Sequence, residues 1–172
     1  ISPTDKKNAF ISVYTNDGEY ITPTFYTKVV DRDGNVILET SQEKQRVFSK
    51  QNAYILKQLL TEPTKSGGTA TACKISKMDT AAKTGTTNED YDRWLCGFTP
   101  YYAAACWYGF DQPETVYYSG TNPAGLLWDN VMTAIHDGKE SASFENITGT
   151  GSTGICKAES LGGNRKLCGI AL

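Results

Sequence analysis

Apolar positions along the chain fall into three rhythms. Near the start, Ala9, Phe10, Val13 and Tyr14 recur at helical spacing behind Ser2-Pro3-Thr4-Asp5, which offers a capping serine, a proline at the first helical position and an acid in the first turn. Asn16-Asp17-Gly18 stops that helix. From Tyr20 to Val30 the pattern loosens into an extended run broken by Pro23, and Asp31-Arg32-Asp33-Gly34-Asn35 turns it into a short strand, Val36 to Leu38. Thr40 to Arg46 is polar on every side and reads as a surface loop. Ser49 then caps a helix that runs to about Thr61 with Ala53, Leu56, Leu59 and Leu60 on its inner stripe, and Glu62-Pro63 ends it. Thr64 to Thr71 is a flexible, glycine-containing connection.

The second half changes rhythm. An extended run begins at Ala81, Asn88-Glu89-Asp90-Tyr91 turns the chain, and Trp94 to Phe98 and Ala103 to Tyr108 are apolar nearly throughout, as strands covered on both faces are. Tight turns between the three predict an antiparallel meander, with Trp94 and Trp107 in the core. Thr121-Asn122-Pro123 opens a last helix whose apolar face carries Leu127, Val131, Ala134 and Ile135, and Asp137-Gly138 closes it against the sheet. His136, at its C-terminal end, is read as structural. The expected class is α+β, an antiparallel sheet flanked by helices, over residues 1–138. Beyond it, 139–172 reads as a Ser/Thr/Gly-rich linker, with Asn146-Ile147-Thr148 in sequon form, and a Cys-containing tail.

Composition narrows the classes. Of 172 residues, 39% are hydrophobic and 21% charged, ordinary for a globular domain. A net charge of −2 gives no basic footprint for nucleic acid. No apolar run approaches the roughly 20 residues that cross a bilayer, and the start at Ile1 reads as a piece of something longer. Of five cysteines, Cys96 and Cys106 lie in apolar strands as small buried side chains, while Cys156 and Cys168 bracket a polar loop. Closed as a disulfide in an oxidising environment, that pair stabilises by about 3 kcal/mol; two free thiols remain the equal alternative. With no C-x-x-C and a single histidine, neither a metal site nor a cofactor is expected.

Candidate chemistry gathers at Ala81-Ala82-Lys83-Thr84-Gly85-Thr86-Thr87. Threonines favour an extended chain, and Gly85 lets another backbone come close. Such an edge takes a peptide as an added strand, with Lys83 as a cation and the hydroxyls of Thr84 and Thr86 as donors to a carboxylate. An isolated K-T-G reads equally as a solvated edge lysine that discourages aggregation. Period-2 alternation sends Lys83 and Gly85 to one side and Thr84 and Thr86 to the other, so all can serve one ligand only at the rim of a cleft.

With Asn88, Asp92, Trp94, Gly97, Thr99 and Pro100 downstream, this run resembles the third active-site motif and following strand of the penicillin-binding proteins and serine β-lactamases, whose signature is S-x-x-K, S-D-N and K-T-G. Lys-Thr-Gly-Thr-Thr-Asn with Asp-x-Trp and Thr-Pro looks most like the class A, bifunctional members, and the likeness covers roughly Ser2 to Gly138. It implies the C-terminal half of a transpeptidase fold. Ser41-Gln42-Glu43-Lys44 fits S-x-x-K, but its segment has no face to bury, so Ser41 is read as a loop residue and not a nucleophile; no Ser-x-Asn occurs.

The resemblance implies acyl transfer. A serine on a preceding segment of the same polypeptide, carrying S-x-x-K and S-x-N, attacks the D-Ala-D-Ala carbonyl of a peptidoglycan stem peptide, and β-lactams acylate the same serine. Lys83, Thr84, Gly85, Thr86 and Thr87 bind substrate, with Lys83 and Thr86 in catalytic roles and the Thr86 amide in the oxyanion hole. The implied place is the extracytoplasmic face of a bacterial cell membrane, anchored from outside this chain. Alternatives are a β-lactam sensor domain, a D,D-carboxypeptidase or β-lactamase, and an inert scaffold half.

Overall fold

A computed structural model describes residues 11–147. Its centre is an antiparallel meander of β5 (Ala81–Thr86), β6 (Asp92–Phe98) and β7 (Ala103–Gly109), paired from Ala81↔Phe98 to Thr86↔Arg93 and from Asp92↔Gly109 to Phe98↔Ala103. Alternation sorts the side chains. Ala82 and Leu95 point into one core with Cys73, Ile75, Trp128 and Met132, and Ala81 and Phe98 into another with Ile11, Leu60 and Phe144. The sheet therefore carries helices on both faces, and the mixed α+β class with an antiparallel sheet stands as expected.

On the first face lies α3 (Pro123–Ile135), opened by Asn122, whose side chain accepts from the Ala124 amide at 3.0 Å. Its inward residues are Ala124, Gly125, Trp128, Met132 and, just past its end, His136. The expected face was wrong: Leu127, Val131 and Ile135 are 43–47% exposed. Trp128 decides the rotation. Its indole N–H donates to the Ala104 carbonyl at 3.2 Å, and its ring fills the space beside Gly97, where an added Cβ would sit 2.8 Å from it. Two apolar stripes compete on this helix, and the larger side chain takes the core. His136 is structural as read: Nδ1–H donates to the Met132 carbonyl at 2.6 Å and Nε2 accepts from Thr99 Oγ1 at 2.8 Å, tying helix end to β6–β7 turn.

On the second face, α1 (described over 11–15) and α2 (Lys50–Thr61) pack against β5. Ser49 caps α2 by accepting from Asn52 N at 3.2 Å. Ala53 is buried as expected and Leu60 packs against Ala81 and Phe98, but Lys57 is buried as well and Leu59 faces out. Lys57 can be buried because its ammonium meets Asp17 Oδ1 at 3.1 Å. Asp17 belongs to the stop after α1, where Gly18 takes φ +86° and an added Cβ would lie 2.3 Å from the Phe48 carbonyl oxygen.

The remaining strands are short. Tyr20 to Val30 is two strands, β1 (Glu19–Ile21) and β2 (Lys28–Val30), with different partners. β2 pairs with β3 (Val36–Glu39) around a turn that Asp31 ties by accepting from the Asp33 and Asn35 amides at 2.9 and 2.8 Å. β1 pairs with β4 (Lys44–Arg46), so only the first part of the segment expected as loop is one, because Arg46 finds Glu19 at 2.6 Å across the ladder. Ser41 sits exposed in that loop.

Thr64 to Thr71, expected as a flexible connection, is instead packed: Thr64 Oγ1 donates to the Thr61 and Thr80 carbonyls, and Ala70, with Cys73 just beyond, is buried. Residues past Gly138 also dock. Ala142 bridges Met78, and the Phe144 ring meets Phe98 with centroids 5.5 Å apart. Cys156 and Cys168 lie outside the described residues.

Candidate functional site

β5 is buried at Ala81 and Ala82 and opens from Lys83 onward. Its far side is a free edge among the described residues. The Thr87 amide donates to the Asp92 carbonyl at 3.3 Å, and ladder bonds alternate, so the amides and carbonyls of Thr84 and Thr86 point away from β6 to that free side. Four main-chain groups in extended geometry are thus available to a strand laid alongside.

Side chains follow the same alternation. Thr84 and Thr86 line a cavity of about 400 Å³ together with Thr69, Cys73, Tyr118 and Asn122. Thr84 Oγ1 lies 3.3 Å from Thr69 Oγ1, which ties the packed turn before β5 to the cavity wall. Lys83 leaves from the other face, yet its Nζ donates to the Thr84 carbonyl at 2.9 Å. A four-carbon stem lets the ammonium reach the edge that its Cβ does not face. Lysine, both threonine hydroxyls and outward amides converge on one rim.

Gly85 and Thr87 have different places. Gly85 stands opposite Trp94, and a Cβ there would lie 3.2 Å from Trp94 Cβ, so the missing side chain makes room for the neighbouring strand's indole. Thr87 is absent from the cavity lining; its hydroxyl donates to Asp92 Oδ2 at 3.1 Å and accepts from the Asp92 amide at 2.9 Å. Asp92 also accepts from the Trp107 indole at 2.7 Å. Asp92, held by Thr87 on one side and Trp107 on the other, therefore clamps the turn that brings β6 back along β5. Trp94 is buried as expected, while Trp107 is 36% exposed.

Sequence reasoning missed three contributors. Tyr118 and Thr69 come from loops without a periodic signal, and only the fold brings them to β5. Arg93 pairs directly with Thr86, with Nη1 3.4 Å from Thr86 Oγ1 and Nη2 3.0 Å from Asp90 Oδ1. Beneath the cavity, Cys73 donates to the Gly125 carbonyl at 3.7 Å; burial first, then Asp129 and Cys106, pushes its thiol up to about 12. A thiol so held stays protonated and is no nucleophile at neutral pH.

Residues 6–122 match the family described as the penicillin-binding protein transpeptidase domain. Penicillin-binding protein 1A of Clostridium acetobutylicum is 41% identical over 131 residues, covering 76% of this chain and 16% of the relative. Penicillin-binding protein 1A of Clostridium novyi is 37% identical over 157 residues, covering 88% and 17%. The crystal structure of penicillin-binding protein 1A from Haemophilus influenzae superposes with a TM-score of 0.68 at 19% identity, over 82% of this chain and 27% of that one, and shows the shared fold. The chain thus spans about one sixth of the length of these curated relatives. Matched across more than half its residues, with K-T-G on an open sheet edge beside a cavity, the chain belongs to the penicillin-binding protein transpeptidase family, in its class A branch.

Proposed function

We propose that this chain supplies the substrate-binding edge of a serine D,D-transpeptidase that cross-links peptidoglycan stem peptides and is acylated by β-lactams. The observation that carries the reading is the rim of β5, where two threonine hydroxyls, a lysine ammonium and outward main-chain amides meet beside a cavity. A peptide's terminal carboxylate would be held by the hydroxyls of Thr84 and Thr86, with Gly85 and Thr87 holding the strand in shape. The Thr86 amide would donate to the oxyanion as the scissile carbonyl becomes tetrahedral. Lys83 would add positive potential and orient a serine of the Ser-x-Asn motif.

The nucleophile lies on another segment of the same polypeptide. Its serine oxygen bonds to the penultimate D-Ala carbonyl carbon, the terminal D-Ala leaves with a proton, and a cross-bridge amine then displaces the serine. Support for a completing segment comes from surfaces that this chain leaves bare. β7 pairs only through β6 among the described residues, and Leu127, Val131 and Ile135 of α3 face outward. Anchoring at the outer face of a bacterial cell membrane is part of the same reading; no described helix is long and apolar enough to cross one.

Labelled penicillin tests this. The chain alone should take no covalent label, and the whole protein should be labelled on a serine outside residues 1–172. Thr86→Ala or Lys83→Ala in the whole protein should slow acylation by about 10- to 10²-fold, through the lost hydrogen bond or charge at the carboxylate. Label on Ser41, or parent rates in both variants, would return β5 to an ordinary edge strand.

A further inference from the structure

Lys83 is the cation that the K-T-G motif advertises, but a second one stands closer to the threonine hydroxyls. Arg93 faces Thr86 in a pair whose main-chain groups point away from one another, the arrangement in which cross-strand side chains come closest. Its side chain is only 11% exposed. One end of the guanidinium is held by Asp90 at 3.0 Å, and its plane lies 4.9 Å from the centre of the Tyr118 ring. Nη1 reaches Thr86 Oγ1 at 3.4 Å, and Nε has no hydrogen-bond partner among the described residues.

A guanidinium only donates. When it approaches Thr86 Oγ1 it occupies an acceptor lone pair, and the hydroxyl proton must then turn to some other acceptor. Thr86 and Tyr118 both line the cavity, and Arg93 stands behind both. We infer that Arg93 is a positioning residue: it sets the Thr86 hydroxyl as a donor into the cavity and thereby makes binding depend on a carboxylate in the ligand. The inference rests on the carboxylate-docking reading of β5. Asp90 and the Tyr118 ring hold the guanidinium in place, and that fixed place puts Nη1 against the Thr86 hydroxyl.

The test uses the whole protein and the second-order rate of acylation by benzylpenicillin and by its methyl ester, which lacks the anionic carboxylate. Arg93→Ala should slow benzylpenicillin about tenfold and leave the ester nearly unchanged. Arg93→Lys should recover part of the loss. Arg93→Ala added to Thr86→Val should cost nothing more than Thr86→Val alone, because the arginine acts through that hydroxyl. Equal slowing of both compounds, with the ratio intact, would make Arg93 a packing residue and overturn the inference, as would parent rates in Arg93→Ala. If Thr86→Val lowers the benzylpenicillin-to-ester ratio and Arg93→Ala does not, only this inference falls. If Thr86→Val also leaves the ratio unchanged, the docking reading falls with it.

Discussion

Cys73 is the residue whose environment departs furthest from what its letter suggests. It is almost fully enclosed, faces Gly125 on α3, and has its thiol pushed up to about 12. In an unfolded chain a thiol titrates near about 8.5. Folding therefore raises the value. The stability that comes from keeping the thiol neutral is whole below about pH 8.5 and is lost as pH rises toward 12. Unfolding free energy measured by urea titration should fall over that window, and Cys73→Ala should flatten this part of the slope while shifting the curve by a constant. A slope identical in both proteins would show that the thiol is not held neutral by the fold. Asp129 is itself raised by burial, and its carboxylate adds to the rise at Cys73 by disfavouring a second negative charge nearby.

Among the elements, α3 is the most instructive, because it carries two candidate apolar stripes and the fold uses the less obvious one. Ala124, Trp128 and Met132 meet β6 and β7; Leu127, Val131 and Ile135 face out. Gly97 is the reason the contact closes, since no side chain at that position leaves room for the indole of Trp128. In this chain Trp128→Ala should cost about 3–5 kcal/mol, whereas Leu127→Ala should stay within about 0.5 kcal/mol. Urea midpoints decide it; equal losses would mean that both stripes are buried. β5 shows the complementary case. Its K-T-G run was legible from the order of residues, but the cavity beside it is lined by Thr69, Tyr118 and Asn122 from distant segments, which no local pattern encodes.

At the scale of the whole molecule, two of the described surfaces are aliphatic and exposed. The β2–β3 hairpin exposes Val30, Val36, Ile37 and Leu38, and α3 exposes its outer stripe. Surfaces of this kind mark contacts with further polypeptide. The chain prepared alone should bind a dye such as anilinonaphthalene sulfonate and associate with rising concentration in sedimentation, and Val131→Ser with Ile135→Ser should reduce both. A dye-silent monomer would mean that these faces need no cover. Sequence by itself determined the strand meander, the helix starts at Ser49 and Asn122, the stop at Gly18, the surface position of Ser41 and the K-T-G edge. Each rests on short-range chemistry: capping groups, turn geometry and alternation act within a few residues. Tertiary structure alone decided which stripe of α3 is buried, why Lys57 tolerates burial, how 64–73 packs and that Arg93 stands behind Thr86. Those outcomes depend on which distant groups meet, and the meeting is set by competition among side chains for one core volume.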